Sequence, residues 1–189
     1  MKNINFLNTY FKKYQELVNF DQKTLHKLTQ VASLLSKTSK RNKKTMIFGN
    51  GGSAAIASHF SVDLTKNARV RCTNYNESDL LTCFSNDYGY EKWVEKSIEF
   101  FGDPGDNVIL ISASGKSKNM INAAKAAKKR KLKTIITFTG CQKNNPLFKL
   151  GDINFWVNSN AYNHIENIHQ LLLLSLVDLI IGKSEYPPS

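Results

Sequence analysis

The segment Thr45-Met46-Ile47-Phe48-Gly49-Asn50-Gly51-Gly52-Ser53 joins a short apolar run to a glycine-rich turn, and an alanine-rich stretch follows it to about Thr65. This order predicts a buried strand, a tight turn and a helix. Glycine lets the turn adopt positive φ angles and lets the backbone approach a ligand closely. The unpaired N–H groups at the start of the helix stabilise a bound anion. The segment therefore predicts an anion-binding loop between a strand and a helix.

A second loop of the same kind is Ser112-Ala113-Ser114-Gly115-Lys116-Ser117. It follows a predicted strand at Val108–Ser112 and precedes a predicted helix at Lys116–Lys131. One serine is enough to cap a helix, and three serines with a glycine and a lysine exceed that need. The loop therefore predicts a cradle for a phosphate or a polyol, in which the hydroxyls act as hydrogen-bond donors.

The rest of the chain repeats this alternation of strands and helices. Further strands are predicted near Asn67–Cys72 and at Leu80–Phe84, Thr134–Thr139 and Ile153–Val157, and a long apolar helix is predicted at Asn163–Gly182. Strands separated by helices of about 10–15 residues indicate a parallel sheet with helices on both faces. Two amphipathic helical stretches precede this pattern as an N-terminal extension over residues 1–40, and Asp21 is the predicted N-cap of the second.

The net charge of the chain favours anionic partners but does not show which kind of anion binds. The 189 residues include 26 Lys and Arg against 15 Asp and Glu, a formal net charge of +11. Such a charge suits either nucleic acid or small anionic ligands. The basic residues cluster at Arg41–Lys44, Lys66–Arg71 and Lys125–Lys133, with no helix-turn-helix or zinc-finger pattern beside them. We therefore expect a solvated basic surface and no nucleic-acid partner.

Cysteine spacing and hydropathy exclude several other classes. Three cysteines without a CxxC pair fit neither a secreted disulfide framework nor a zinc ribbon. The N-terminus shows no continuous apolar leader, and the apolar run Leu171–Ile181 is short and interrupted by Ser175 and Asp178. The Walker phosphate-loop pattern is absent, and no acidic residue follows Gly51 by about 20 positions. We expect a soluble cytoplasmic protein with no nucleotide cofactor and no membrane partner.

Four pieces of the chain resemble, in order, the phosphoheptose isomerases, which are sugar isomerase (SIS) domain proteins. The segment 49–60, with the letters GNGGSAA and then SHF, is similar to their first loop and helix. Residues 86–90 (NDYGY) resemble their NDFGF-like segment, residues 112–117 their phosphate loop, and residues 165–169 their C-terminal helix motif. The resemblance covers roughly residues 5–182, nearly the whole chain.

The resemblance predicts the fold, the activity and the site residues of this chain. It implies a flavodoxin-like, three-layer αβα sandwich with extra N-terminal helices, in which residues 41–189 form the SIS domain. It implies an aldose–ketose isomerase that acts on a heptose-type sugar phosphate through an enediol, and a homotetramer with sites between subunits. The implied catalytic and metal-binding residues are His59, Asp63 and Glu166. Zinc is the candidate metal, and Mn²⁺ and Fe²⁺ also accept such ligands. The implied substrate-binding residues are Asn50, Gly51, Gly52, Ser53, Asp87, Ser112, Ser114, Ser117 and Asn163.

The chain departs from the family pattern at positions that carry chemistry. Asp63 stands where the family has a glutamate, Glu166 where it has a glutamine, and Leu174 where it has the C-terminal catalytic histidine. His59 and Asp63 are four residues apart and therefore project from one face of a helix. Two functions stay open. The first is a diverged sugar-phosphate isomerase. The second is a binding or regulatory protein that keeps the sugar-phosphate site without the catalysis, for which the resemblance supplies the DnaA-associating relatives as a precedent.

The predicted C-terminal helix holds further polar side chains. Gln170 lies one turn after Glu166 and shares its face. His164 and His169 point elsewhere on a regular helix, and we expect them at the surface or at an interface.

Overall fold

The computed structural model describes residues 2–186. Its centre is a sheet of five parallel strands in the order β2-β1-β3-β4-β5. The strands are β1 (Thr45–Phe48), β2 (Cys72–Thr73), β3 (Asn107–Ser112), β4 (Thr134–Thr139) and β5 (Ile153–Trp156). The three central strands β1, β3 and β4 are almost entirely buried, as apolar strands between two layers of helices must be.

Helices cover both faces of the sheet, which confirms the predicted three-layer α/β architecture. They are α1 (Lys2–Leu17), α2 (Gln22–Lys40), α3 (Gly52–Lys66), α4 (Ser78–Tyr88), α5 (Trp93–Phe101), α6 (Lys118–Lys129) and α7 (Tyr162–Ile181), with a short 3-10 helix at Phe148–Leu150. One apolar core lies between the sheet and α2, α3 and α7. The other lies between the sheet and α5 and α6, with α4 at its margin. As predicted, Asp21 caps α2, where its Oδ1 accepts a hydrogen bond from the backbone N–H of Thr24 at 2.7 Å.

The pairing of β1 with β3 places the two predicted loops side by side. The strands run parallel with Thr45 opposite Asn107 and Phe48 opposite Leu110. Each strand leads from its carboxyl end into a loop and then a helix, α3 after β1 and α6 after β3. Because parallel neighbours end at the same edge of a sheet, both loops open at that edge, where ligands bind in open α/β sheets.

A buried carboxylate joins the opposite ends of the same two strands. The side chain of Asp106 is fully buried and accepts hydrogen bonds from the backbone N–H of Lys44 at 2.9 Å and of Asp103 at 3.0 Å. The Lys44 ammonium lies 2.6 Å from the second oxygen of Asp106. A buried charge needs a partner of opposite sign and satisfied hydrogen bonds, and this cluster provides both while holding the starts of β1 and β3 together.

Two predicted strands need correction. Residues 80–84, predicted as a strand, belong to α4, and Leu80, Leu81 and Phe84 form one half-buried helix face against the second core. A short apolar run fits a strand and a helix face equally well, so periodicity alone does not separate them. The weak strand predicted near 67–72 is the two-residue β2, which begins only at Cys72.

The positions expected for His164 and His169 are wrong, because α7 buries both inside the chain. His169 is fully buried, and its Nε2 lies 3.1 Å from the carbonyl oxygen of Thr139 at the end of β4. The ring of His164 packs against the rings of Tyr10 and Tyr14, with centroids 4.5 Å apart in each case. The two histidines therefore attach α7 to the sheet and to α1.

Among residues 2–186, α7 is the one helix whose length and apolar composition would suit a membrane span. It packs instead as a core helix, because one of its faces is buried against the sheet, α2 and α3. Eight of its residues are buried: His164, Ile165, Ile168, His169, Leu172, Leu173, Leu176 and Val177. Burial in the core thus accounts for much of its apolar composition.

The stability of the fold should depend on pH through His169. Burial lowers the pKa of His169 to about 4, whereas an unfolded histidine titrates near pH 6.5. Between about pH 6.5 and pH 4, His169 is protonated in the unfolded chain but not in the folded chain. The free energy of unfolding therefore falls as the pH drops through this range. We expect this group to contribute a loss of about 3 kcal/mol in the free energy of unfolding across that window.

Urea unfolding at about pH 7 and about pH 4.5 measures this loss. The variant His169→Gln keeps a donor for the carbonyl of Thr139 and does not titrate, so its stability should fall by less over the same interval. Parallel losses in the variant and the unchanged protein would contradict the assignment.

Candidate functional site

The first loop forms a tight glycine turn at the start of α3. Gly51 has φ of +54° and ψ of −124°, a conformation that residues with a Cβ avoid. Its carbonyl accepts hydrogen bonds from the backbone N–H of Ala54 at 3.0 Å and of Ala55 at 3.2 Å. Gly52 leaves room for the carboxylate of Glu166 on α7, which a methyl group at Gly52 would displace. The turn thus brings a carboxylate against the N-terminal end of α3.

The second loop aligns its hydroxyls at the start of α6. The Oγ atoms of Ser112 and Ser117 lie 3.0 Å apart, and the Oγ of Ser114 accepts a hydrogen bond from the backbone N–H of Lys116 at 3.2 Å. Gly115 has φ of +65°, and a methyl group added to it would collide with the carboxamide of Asn145. Ser112 is buried, whereas Ser114 and Ser117 are half-buried and accessible to a ligand.

A hydrogen-bonded network joins the two loops. Asn50 and Asn119 exchange hydrogen bonds between their carboxamides at 3.0 Å and 2.8 Å. The Tyr90 hydroxyl donates to the Oδ1 of Asn50 at 3.1 Å. These three residues line a cleft of about 620 Å³ together with Ser117, Lys92 and others. The cleft is large enough for a sugar phosphate, and its charged lining residues are Lys92 and the pair of Lys118 with Glu91, 3.6 Å apart.

A chain of three polar side chains crosses from α3 to α7. The Nε2 of His59 lies 3.1 Å from Oδ2 of Asp63, one turn further along α3. The Nδ1 of His59 lies 3.2 Å from the carboxamide nitrogen of Gln170 on α7. The His59 side chain is about half exposed, at 48%, and Asp63 is one-quarter exposed. A histidine and a carboxylate in this arrangement can orient each other and transfer protons.

A search of protein-family models matches the SIS domain over residues 9–140. The chain belongs to the SIS domain family. Phosphoheptose isomerases are among its relatives: that of Hamiltonella defensa is 35% identical over 82% of this chain and 79% of its own length. That of Thermodesulfovibrio yellowstonii is 34% identical over 89% of this chain and 88% of its own length.

Solved structures agree with the sequence relatives. The phosphoheptose isomerase of Neisseria gonorrhoeae superposes with a TM-score of 0.85 at 28% identity, covering 93% of this chain and 98% of that one. The expected SIS fold, and the resemblance to the phosphoheptose isomerases, are therefore confirmed.

The structure brings together most of the residues that the sequence singled out. Both loops open at one edge of the sheet, His59 pairs with Asp63, and Glu166 faces Gly52. Two further predicted substrate ligands, Asp87 and Asn163, are exposed, and the hydrogen bonds described for them run to other residues. Asp87 is exposed on α4, where its carboxylate accepts from the side-chain amide of Asn86 at 2.9 Å.

Asn163 is exposed in the first turn of α7 and lies towards α1. Its carbonyl oxygen accepts a hydrogen bond from the Tyr14 hydroxyl at 3.3 Å. Binding by Asp87 and Asn163 stays a prediction.

The three predicted zinc ligands do not fit a zinc site within one chain. No three His, Cys, Asp or Glu side chains between residues 2 and 186 form a group that could hold a metal ion. Both ring nitrogens of His59 face other side chains, and Glu166 lies against Gly52.

Three residues of the site go beyond the sequence-based predictions of binding and catalytic residues. Asn119 and Tyr90 connect the loops, and Gln170 contacts His59 directly. Asn119 lies two positions after the last serine of the second loop, and Tyr90 ends the NDYGY segment, so both were near recognisable motifs. The contact of Gln170 depends on the packing of α7 on α3, and its position on the Glu166 face was the only signal in the sequence.

Replacing Gly115 by alanine should weaken both the fold and the second loop. A Cβ at this positive φ lowers the free energy of unfolding by about 1–2 kcal/mol. The collision with Asn145 would in addition displace the loop. We expect a total loss above 2 kcal/mol in urea unfolding and weaker binding of a ketose phosphate in calorimetry.

The matched control is Gly182→Ala, at a similar positive φ of +86° with open space around it. Its free energy of unfolding should fall only by the cost of a Cβ at a positive φ angle. Equal effects of the two substitutions would exclude a close-packing role for Gly115.

Proposed function

We propose that this protein is an isomerase that interconverts the aldose and ketose forms of a sugar phosphate, of the heptose phosphate type. One observation supports the proposal above the others: a hydroxyl-rich loop and a glycine loop follow two paired strands at the same sheet edge, and the carboxylate of Glu166 on α7 lies against Gly52 in the glycine loop. The relatives in Hamiltonella defensa and Thermodesulfovibrio yellowstonii bear the name phosphoheptose isomerase, which supports the same activity.

The phosphate is held by the second loop in this proposal. Ser112, Ser114 and Ser117 offer hydroxyl donors, and the loop leads into the N-terminus of α6, where the helix dipole favours an anion. Lys116 in the same loop adds a positive charge. Asn50 offers the remainder of an open-chain sugar its side-chain amide, and Gly51 and Gly52 offer it backbone N–H groups, whereas the backbone N–H of Ser53 already donates to the carbonyl of Asn50 at 3.0 Å.

The carboxylates move the proton. An aldose–ketose shift needs a base to remove a proton from the carbon next to the carbonyl, which gives an enediolate. A proton then passes from one oxygen of the enediol to the other, and a proton is returned to the former carbonyl carbon. We assign Asp63 as the base, with His59 orienting its carboxylate. Glu166 is the second carboxylate, and the ion pairs found among the described residues do not include it. It is the second group assigned to proton transfer, because Leu174, two turns further along α7, has no group that can transfer a proton.

Isosteric neutralisation of the carboxylates tests these roles. Asp63→Asn and Glu166→Gln remove a proton acceptor with almost no change in volume, and each should lower kcat for sedoheptulose 7-phosphate by a factor of about 10²–10⁴. Asp79→Asn, at an exposed carboxylate on α4, is the matched control and should leave kcat unchanged.

The outcomes separate the two functions that the sequence left open. Full activity in Asp63→Asn would remove Asp63 as the base. Binding of ketose phosphates in calorimetry without turnover by the unchanged protein would replace the isomerase by a regulatory, sugar-phosphate-binding protein. Neither binding nor turnover with any ketose phosphate would overturn the proposal. A zinc ion could join the site only with donor groups beyond His59, Asp63 and Glu166.

We further propose that the protein works as a homo-oligomer, with a tetramer as the expected form. Helix α1 has no buried residue, and its exposed apolar side chains support this: Ile4 is 63%, Phe6 65%, Leu7 47% and Phe11 58% exposed. A row of large apolar side chains on a helix is costly in water unless another surface covers it. A second copy of the chain supplies such a surface.

Charge on the apolar face of α1 should dissociate the oligomer. In light scattering, Leu7→Glu with Phe11→Glu should shift the mass towards that of one chain, 21.4 kDa. Asn5→Glu, on the polar face of the same helix, should leave the mass unchanged. A single-chain mass for the unchanged protein would contradict the proposal.

The expected setting is the cytoplasm, in the supply of precursors for a surface polysaccharide. The three cysteines support a reduced compartment, since all are unpaired.

A further inference from the structure

Gln170 contacts the imidazole ring of His59. It lies on α7 between Glu166, one turn before it, and Leu174, one turn after it. Its carboxamide nitrogen is 3.2 Å from Nδ1 of His59, across the contact between α7 and α3. Nε2 of the same ring is 3.1 Å from Oδ2 of Asp63. Both ring nitrogens of His59 are therefore engaged, one by each helix.

The chemistry of the three groups defines the position of the proton on the ring. An ionised carboxylate can only accept hydrogen bonds, so Nε2 of His59 must carry the hydrogen that it shares with Asp63. In a neutral imidazole the other nitrogen is then a bare acceptor. The carboxamide nitrogen of Gln170 is a donor and matches that acceptor. The three side chains form one directed series of hydrogen bonds, from Gln170 through His59 to Asp63.

We propose that Gln170 is a positioning residue that holds His59 in its Nε2–H tautomer and thereby fixes the orientation of the Asp63 carboxylate. The effect of this on turnover rests on the proposed isomerase function, whereas the effect on the tautomer does not. With Oδ2 of Asp63 tied to His59, its other oxygen stays available for proton transfer. A base held within a fraction of an ångström of its working position preserves rate that a mobile base loses.

Two substitutions of Gln170 separate a hydrogen-bonding role from a simple packing role. Gln170→Met keeps the length of the side chain but cannot donate to Nδ1. Gln170→Glu keeps the shape but presents only acceptors, so Nδ1 of His59 must acquire a hydrogen to pair with it. If Gln170 only filled space, both variants would behave like the unchanged protein. Gln30→Met, at an exposed glutamine on α2, is the matched control.

Nitrogen-15 NMR of the full chain reads the tautomer without any substrate. The chain has four histidines, and the spectrum of His59→Gln identifies the signals of His59. At one neutral pH we expect a protonated Nε2 and a bare Nδ1 in the unchanged protein and in Gln30→Met. We expect averaging between the two tautomers in Gln170→Met, and a protonated Nδ1 in Gln170→Glu.

Steady-state kinetics supplies the second readout. Gln170→Met should lower kcat about tenfold with little change in KM, because the phosphate loop is untouched while the base is released. Gln170→Glu should lower kcat at least as much, and Gln30→Met should have no effect.

The outcomes distinguish this proposal from the proposed function. An unchanged His59 tautomer in both Gln170 variants would overturn the positioning role, even if the protein proves to be an isomerase. Full activity in Gln170→Met with a changed tautomer would overturn the link to catalysis. The expected tautomers in a protein that turns over no sugar phosphate would leave the positioning role standing and remove the isomerase.

Discussion

The site depends above all on the parallel pairing of β1 with β3. With Phe48 opposite Leu110, the two strands end at one edge of the sheet, and the loops that follow them meet there. The buried cluster of Asp106 and Lys44 holds the opposite ends of the strands. If either strand slipped by one residue, every side chain on it would change faces, and the glycine turn would no longer face the serine loop.

A second constraint is the close approach of α7 to the elements around it. Ile165 lies against Gly140, where a methyl group would be 2.6 Å from its side chain, and Glu166 lies against Gly52. Two consecutive residues of one helix thus lie against two glycines that are far apart in the chain. This close packing brings Gln170 within hydrogen-bond distance of His59. Burial of the apolar face of α7 supplies the free energy that holds this helix against its neighbours. The position of the helix in turn determines where its polar residues lie.

Much of the fold could be predicted from local pattern. The strand at Thr134–Thr139 and the long C-terminal helix were predicted closely because their apolar residues form runs of the right length and periodicity. The segment 80–84 was not, because its apolar residues suit a strand and a helix face equally, and only packing against the second core selects the helix. His164 and His169 show the same limit, since a polar side chain is buried only if tertiary partners receive it, here Tyr10, Tyr14 and the carbonyl of Thr139.

The sequence by itself determined the fold class and the two loops at which an anion can bind. Glycine and serine after a strand carry that information locally, through backbone conformation and the start of a helix. The pairing of His59 with Asp63 was also implicit, because i and i+4 share a helix face. Only the tertiary structure decided that Gln170 engages His59 and that Glu166 lies against Gly52. These contacts join residues more than one hundred positions apart, and the packing of α7 on α3, rather than any local preference, brings them together.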